Sequence, residues 1–136
     1  MTTDPRSITP RDVVIEAARL MRDEDIGSLP VTEEGRLVGM LTDRDIAVRV
    51  VAEGRSPNST TVGEVLSPDP VAAGPDQDLD EALHLMAQHQ VRRLPVVEDD
   101  RLVGILAQAD VALEEKEKKI GELVESISQP SVGERL

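Results

Sequence analysis

The chain has 136 residues, a formal net charge of -12, 39% hydrophobic residues, no cysteine, and no Phe, Tyr or Trp. That length and apolar content suit one compact domain with a real core, and no apolar run approaches the ~20 residues of a bilayer span. Disulfides and thiolate chemistry are excluded, and so acidic a surface repels a phosphate backbone, which argues against nucleic acid as a partner.

Met1-Thr2-Thr3-Asp4-Pro5 has neither the basic start nor the apolar stretch of a secretory signal, so a cytoplasmic protein is expected. Ser7-Ile8-Thr9 reads as a short strand. Thr9 and Pro10 then read as a helix start, a capping hydroxyl followed by Pro, with Val14, Ala17, Ala18 and Met21 at helical spacing. Gly27 is expected to close that helix. Leu29-Pro30-Val31 and Leu37-Val38-Gly39-Met40-Leu41 read as two strands around a Glu34-Gly35 turn, and Pro30 fits only near a strand's start or on an edge. A second helix is expected from Thr42 to about Ala52, with Ile46, Val50 and Val51 on its apolar side. Residues 53–61 are polar and turn-rich and read as a linker, after which Thr61-Val62-Gly63-Glu64 has capping-box spacing.

The rest of the chain repeats this order. Arg36-Leu37-Val38-Gly39-Met40-Leu41 returns as Arg101-Leu102-Val103-Gly104-Ile105-Leu106. The same register extends without a gap to Leu94-Pro95-Val96, Leu85-Met86 and Pro75, so the repeat is a structural unit. A unit this small buries only about 60% of the surface its unfolded chain exposes, so two copies are expected to share one core. In the second copy Pro70-Val71-Ala72 is expected as a short strand and a helix from about Leu79, which Asp78 and Glu81 are able to cap. Strands follow around 94–97 and 102–106. The last helix is expected to be longer than its twin, passing through a charged collar at 114–119 to an apolar stripe of Ile120, Leu123, Val124 and Ile127 before Pro130 ends it. That stripe has to cover either its own domain or a second copy of the chain. The expected division is a first repeat over 5–52, a linker over 53–61, a second repeat over 62–113, and a C-terminal helix and tail over 114–136.

These residues resemble the tandem cystathionine-β-synthase (CBS) domain pair, or Bateman module. The likeness is carried by the twice-used Leu-Pro-Val strand, the Arg-Leu-Val-Gly turn and strand, and the Gly-x-x-Thr-x-x-Asp segment over 39–45. It covers about residues 7–111, and the layout is similar to the small stand-alone actinobacterial hypoxic-response type. The resemblance implies an α/β (α+β) fold of two β-α-β-β-α repeats packed through their sheets about a pseudo-twofold axis. It further implies two clefts that in many members bind AMP, ADP, ATP or S-adenosylmethionine, and a flat, disc-like homodimer.

Thr42 and Asp45 stand where a strand hands over to a helix, so unpaired N–H groups and the positive end of the helix dipole are at hand for a phosphate. On the resemblance, Asp45 and Asp110 accept hydrogen bonds from ribose hydroxyls, which suits an acceptor-only carboxylate, and Thr42 meets phosphate. Thr-x-x-Asp before an apolar run is equally a capping box, in which both side chains only close the helix start. In the second copy Ala107 replaces the Thr and has no capping side chain, yet Asp110 remains; there the alternative is a plain negative charge at a helix N-terminus.

Arg44 in the same turn, and Arg92-Arg93 before Leu94-Pro95, occupy places where the family carries phosphate-reaching basic residues; the first copy has Gly27-Ser28 there. The resemblance implies unequal clefts, with Arg93 serving the one at Asp110, and Arg44 with Arg92 the one at Asp45. Solvated pairing with an acidic surface is the plainer account of each arginine. Ile26, Val71 and Val91 stand where the family's adenine slot is lined, and each also suits plain core; with no aromatic residue, the base has to be held by aliphatic side chains. His84 and His89, five apart on one helix, do not share a face as metal ligands must, and Met21 and Met86 belong to core faces.

No nucleophile, base and orienting group come together, so neither catalytic residues nor a metal is expected. The expected function is a regulatory module sensing adenine nucleotides through differential affinity for two shapes. A ligand-independent dimerisation or interaction scaffold is the alternative, kept open by Ala107, the aromatic-free slot and the acidic charge. The expected partners are an adenine nucleotide and a second copy of the chain, with no nucleic acid and no membrane.

Overall fold

The computed structural model describes residues 5–112 and 119–122, and the chain divides into two units, Arg6–Pro70 and the chain from Val71 on. Each is a mixed α/β unit built on an antiparallel hairpin.

In the first unit, α1 (Val14–Glu24) buries Val14, Ala17 and Met21, the one-face spacing of an amphipathic helix. These meet Leu29 and Val31 of β1 (Ser28–Glu33) and Leu41 of β2 (Arg36–Thr42) in one core. The hairpin closes on Glu34 and Gly35 at φ of 54° and 83°, the two positive values that a two-residue type I′ loop needs. Pro30 is tolerated inside β1 because on its outer edge the Ile8 N–H donates to the Pro30 carbonyl and the Thr32 N–H donates to the Ile8 carbonyl, so no donor is missed at Pro30.

β2 runs into α2 (Asp43–Ile46), which continues as a π-helical turn, Ala47–Val51. The expected apolar side of this helix is therefore corrected. The wider bonding, Ala52 N–H to the Ala47 carbonyl, rotates the face so that Val50 is buried, Ile46 packs beside the core, and Val51 is 69% exposed.

Residues 53–61 are bound into the first unit. Thr60 is buried, and the carbonyls of Pro57 and Thr60 accept from the N–H groups of Ile15 and Val14 at 3.0 and 2.8 Å. The helix α3 (Val62–Val65) follows, with the Thr61 N–H and hydroxyl both bonded to the Glu64 carboxylate, and β3 (Ser67–Pro68) then adds to β2 opposite Met40 and Gly39. Val62 N–H and Gly63 N–H donate to the carbonyls of Asp12 and Pro10, which explains why α1 begins at Val14 and not at the expected Pro10: the backbone before it is engaged by α3. Gly63 permits the approach, since a Cβ there would lie 3.1 Å from the Pro10 oxygen. Gly27 does not close α1; Asp25 takes the left-handed position instead, at φ 55°.

The second unit repeats the scheme with α4 (Leu79–His89), β4 (Arg93–Glu98), β5 (Arg101–Ala107) and α5 (Gln108–Ala112). Leu79, Ala82 and Met86 pack with Leu94, Val96 and Leu106. Asp78 stands at the N-cap of α4 without a side-chain capping bond, and the edge contact expected as a strand over 70–72 is one parallel bridge from Ala73 to Val96.

The helix expected to run from Ala112 past Ile120 does not pass unbroken through Lys119. Lys119 is extended and bridges Asp78, and Ile120, buried in the second core, starts a new helical turn. Ile120 N–H reaches the Gln77 carbonyl and Gly121 N–H the Pro75 carbonyl, as Val62 and Gly63 do with Asp12 and Pro10. Lys119-Ile120-Gly121-Glu122 is thus the counterpart of Thr61-Val62-Gly63-Glu64. These two segments stand closer together in the chain than Arg36 and Arg101 do, so the main register of the repeat conceals the match. Ile120 covers its own unit, while Leu123, Val124, Ile127 and Pro130 lie outside the described residues.

Candidate functional site

At the end of β2 the backbone turns from extended to helical at Thr42, leaving the first N–H groups of α2 without partners inside the helix. The capping box closes on them. Asp45 N–H donates to Thr42 Oγ1 at 3.1 Å, and Thr42 N–H donates to Asp45 Oδ2 at 2.9 Å. Asp45 is 7% exposed, and its carboxylate also accepts from the Ser67 hydroxyl, 3.2 Å to Oδ1 and 3.4 Å to Oδ2. Arg49 Nη1 lies 3.8 Å from Oδ1 while donating to the carbonyls of Val65 and Leu66 at 2.9 Å each. A carboxylate offers about four acceptor positions, so the cap and the serine leave part of its capacity open.

The same turn recurs at α5, where Ala107 N–H donates to Asp110 Oδ2 at 3.1 Å. Half of a capping box therefore survives without a hydroxyl: the carboxylate's reach back to the preceding N–H does not need the Thr, so capping does account for part of the presence of Asp110. Asp110 is half-buried.

Arg93 opens β4 directly opposite Ala107, and the Arg92 carbonyl accepts from Gln108 N–H at 2.8 Å. The two arginines thus flank the start of α5, with Arg93 half-buried and Arg92 exposed. In the first unit the matching places are Gly27, whose carbonyl accepts from Asp43 N–H, and Ser28 opposite Thr42; Arg44 is exposed. Ile26 packs beside the first core, and Val71 and Val91 beside the second, all half-buried. His84 and His89 are exposed on α4.

Ser67 and Arg49 are the site residues that sequence reasoning missed. The Thr42–Asp45 pair is local and visible as spacing, whereas Ser67 meets Asp45 from a distant part of the chain, and nothing in the sequence pairs them.

The CBS domain family model matches residues 1–52 and 62–117. The chain is 44% identical over 133 residues to the CBS domain-containing protein YhcV of Bacillus subtilis, covering 97% of this chain and 94% of that one. It is 41% identical over 120 residues to Hypoxic response protein 1 of Mycobacterium tuberculosis, covering 88% and 84%. Hypoxic Response Protein I, solved with two coordinated zinc ions, superposes with a TM-score of 0.76 at 37% identity over 85% of this chain and 99% of that one. CBSX2 in complex with AMP superposes at 0.70 with 26% identity, covering 81% and 86%. Among the described residues of this chain no group of three or more His, Cys, Asp or Glu is arranged to hold a metal ion, and no helix is long and apolar enough to cross a membrane. With both repeats matched, and with relatives this similar along most of their length, the chain belongs to the CBS domain family.

Proposed function

We propose that the protein is a regulatory module that binds an adenosine compound, AMP, ADP, ATP or S-adenosylmethionine, and works as a homodimer without catalysing a reaction. The observation that carries this reading is the strand-to-helix turn made twice, with Asp45 and Asp110 each bonded to the N–H of the residue before the helix. That bond ties one oxygen of the carboxylate beside a helix start. In this reading Asp45 and Asp110 take the ribose hydroxyls, and Thr42, Arg44, Arg92 and Arg93 take the phosphate. Ile26, Val71 and Val91 hold the base. The AMP complex of CBSX2, a protein of the same fold, supports the choice of ligand class.

The test is calorimetry of the full chain with each of the four compounds, repeated on Asp45→Ala and Asp110→Ala. Saturable heat is expected with at least one compound, weakened by about tenfold or more in the variant that loses a ribose contact. Absence of heat and of any melting shift at millimolar concentration overturns the reading. A ligand-free interaction scaffold would then stand in its place, a reading favoured by the bonds that Asp45 already makes to Thr42 and Ser67.

A further inference from the structure

Contacts from β2 and from Arg49 place the backbone around Ser67, and its hydroxyl meets Asp45. β3 lies against β2 with Ser67 opposite Met40 and Pro68 opposite Gly39. Gly39 makes the approach possible: a Cβ there would stand 2.8 Å from the Ser67 backbone carbonyl oxygen and 2.8 Å from Leu66 Cδ1. From the other side, Arg49 Nη1 binds the Val65 and Leu66 carbonyls, the two that precede Ser67. The Ser67 hydroxyl is delivered by these contacts to 3.2 Å from Asp45 Oδ1.

This matters for Asp45 because the bond from Thr42 N–H to Oδ2 holds the carboxylate at one point and leaves it free to turn about its own axis. The Ser67 hydroxyl, its one proton shared between Oδ1 at 3.2 Å and Oδ2 at 3.4 Å, is a second hold that opposes that rotation. We propose that Ser67 is a positioning residue of the first unit's ligand site, holding the plane of the Asp45 carboxylate so that its remaining acceptor positions are set for the two hydroxyls of a ribose. The inference rests on the reading of Asp45 as the ribose ligand. Because the carboxylate is ordered before the ligand arrives, the ligand does not bear that ordering cost.

Ser67 and Asp45 both lie in the first unit. In sequence, the register that carries Thr42 to Ala107 carries Arg49 to Glu114, and the register that carries Val62 to Ile120 carries Ser67 to Glu125, so neither donor recurs at those positions. Loss of the hydroxyl is therefore expected to affect one of two classes of site.

The experiment is calorimetry with AMP on the full chain, comparing the natural sequence with Ser67→Ala, Ser67→Thr and Asp45→Ala, with melting temperatures recorded in parallel. Ser67→Ala is expected to weaken, by about tenfold, which is about 1.4 kcal/mol, the same binding that Asp45→Ala weakens at least as much, and to leave the other class of site unchanged. Ser67→Thr, which keeps the hydroxyl, restores affinity; a residue acting only through packing gives no such rescue. Ser67→Cys keeps the volume with a weak donor and behaves as Ser67→Ala, which covers any loss of folding in the alanine variant. Natural affinity in Ser67→Ala, with binding weakened in Asp45→Ala, overturns the role of Ser67 and leaves the nucleotide reading intact. Natural affinity in Asp45→Ala, or no AMP heat from the natural chain, overturns that reading and the role of Ser67 with it.

Discussion

At a single helix start the two repeats differ by one hydroxyl, and the difference is measurable. Thr42 and Asp45 satisfy each other's backbone N–H groups, whereas Asp110 bonds to the N–H of Ala107, a residue with no hydroxyl to return. Ala107→Thr is expected to supply the missing half and to stabilise the protein by about 0.5–1 kcal/mol in urea unfolding; an unchanged midpoint would show that the first N–H groups of α5 are satisfied in another way. This pair was legible in the sequence because capping is local and acts within one helical turn. Ser67 was not, since its place beside Asp45 depends on β3 docking against a glycine in a different strand.

Among the elements, α3 shows how small pieces close each unit. The Thr61 backbone N–H, then the Thr61 hydroxyl, then Arg55 hold the Glu64 carboxyl below its ordinary value of 4.5. A carboxyl whose folded pKa is depressed contributes stability that is present above its unfolded pKa and is lost as pH falls through the lowered folded value. Glu64→Gln is therefore expected to flatten the acid side of the stability profile at and below about pH 4.5, as read from urea midpoints between about pH 3 and 7. Parallel profiles for the two proteins would remove Glu64 from the acid response. The counterpart of α3 in the second unit begins at Ile120, which is fully buried among Leu79, Met86 and Leu94. Ile120→Ala should cost about 2–5 kcal/mol through lost burial and an unfilled cavity. A change below about 1 kcal/mol would mean that the site collapses around the smaller side chain. Periodicity had marked Ile120 as apolar and in need of cover. What it covers was hidden, because the segment that matches Thr61-Val62-Gly63-Glu64 lies outside the main register of the repeat.

For the whole molecule, a ligand that binds the folded chain and not the unfolded one raises its stability by mass action, about 2.7 kcal/mol at a hundredfold excess over Kd. AMP is therefore expected to raise the melting temperature with a logarithmic dependence on its concentration, and a flat response would remove it as the ligand. Aromatic fluorescence cannot report this transition in a chain without Phe, Tyr or Trp, so circular dichroism or calorimetry has to be used. The sequence by itself determined the duplication, the paired strands with the Glu34-Gly35 turn, the buried positions Val14, Ala17, Met21 and Met86, and the two aspartates at helix starts. All of these follow from short-range periodicity and turn chemistry, which act within a few residues. Tertiary structure alone decided that α1 starts at Val14, that the π-helical turn exposes Val51, that Ile120 closes the second core, and that Ser67 and Arg49 gather on Asp45. The start of α1, the place of Ile120 and the contacts of Asp45 depend on groups brought together from distant parts of the chain, and the order of residues along the chain does not carry that pairing.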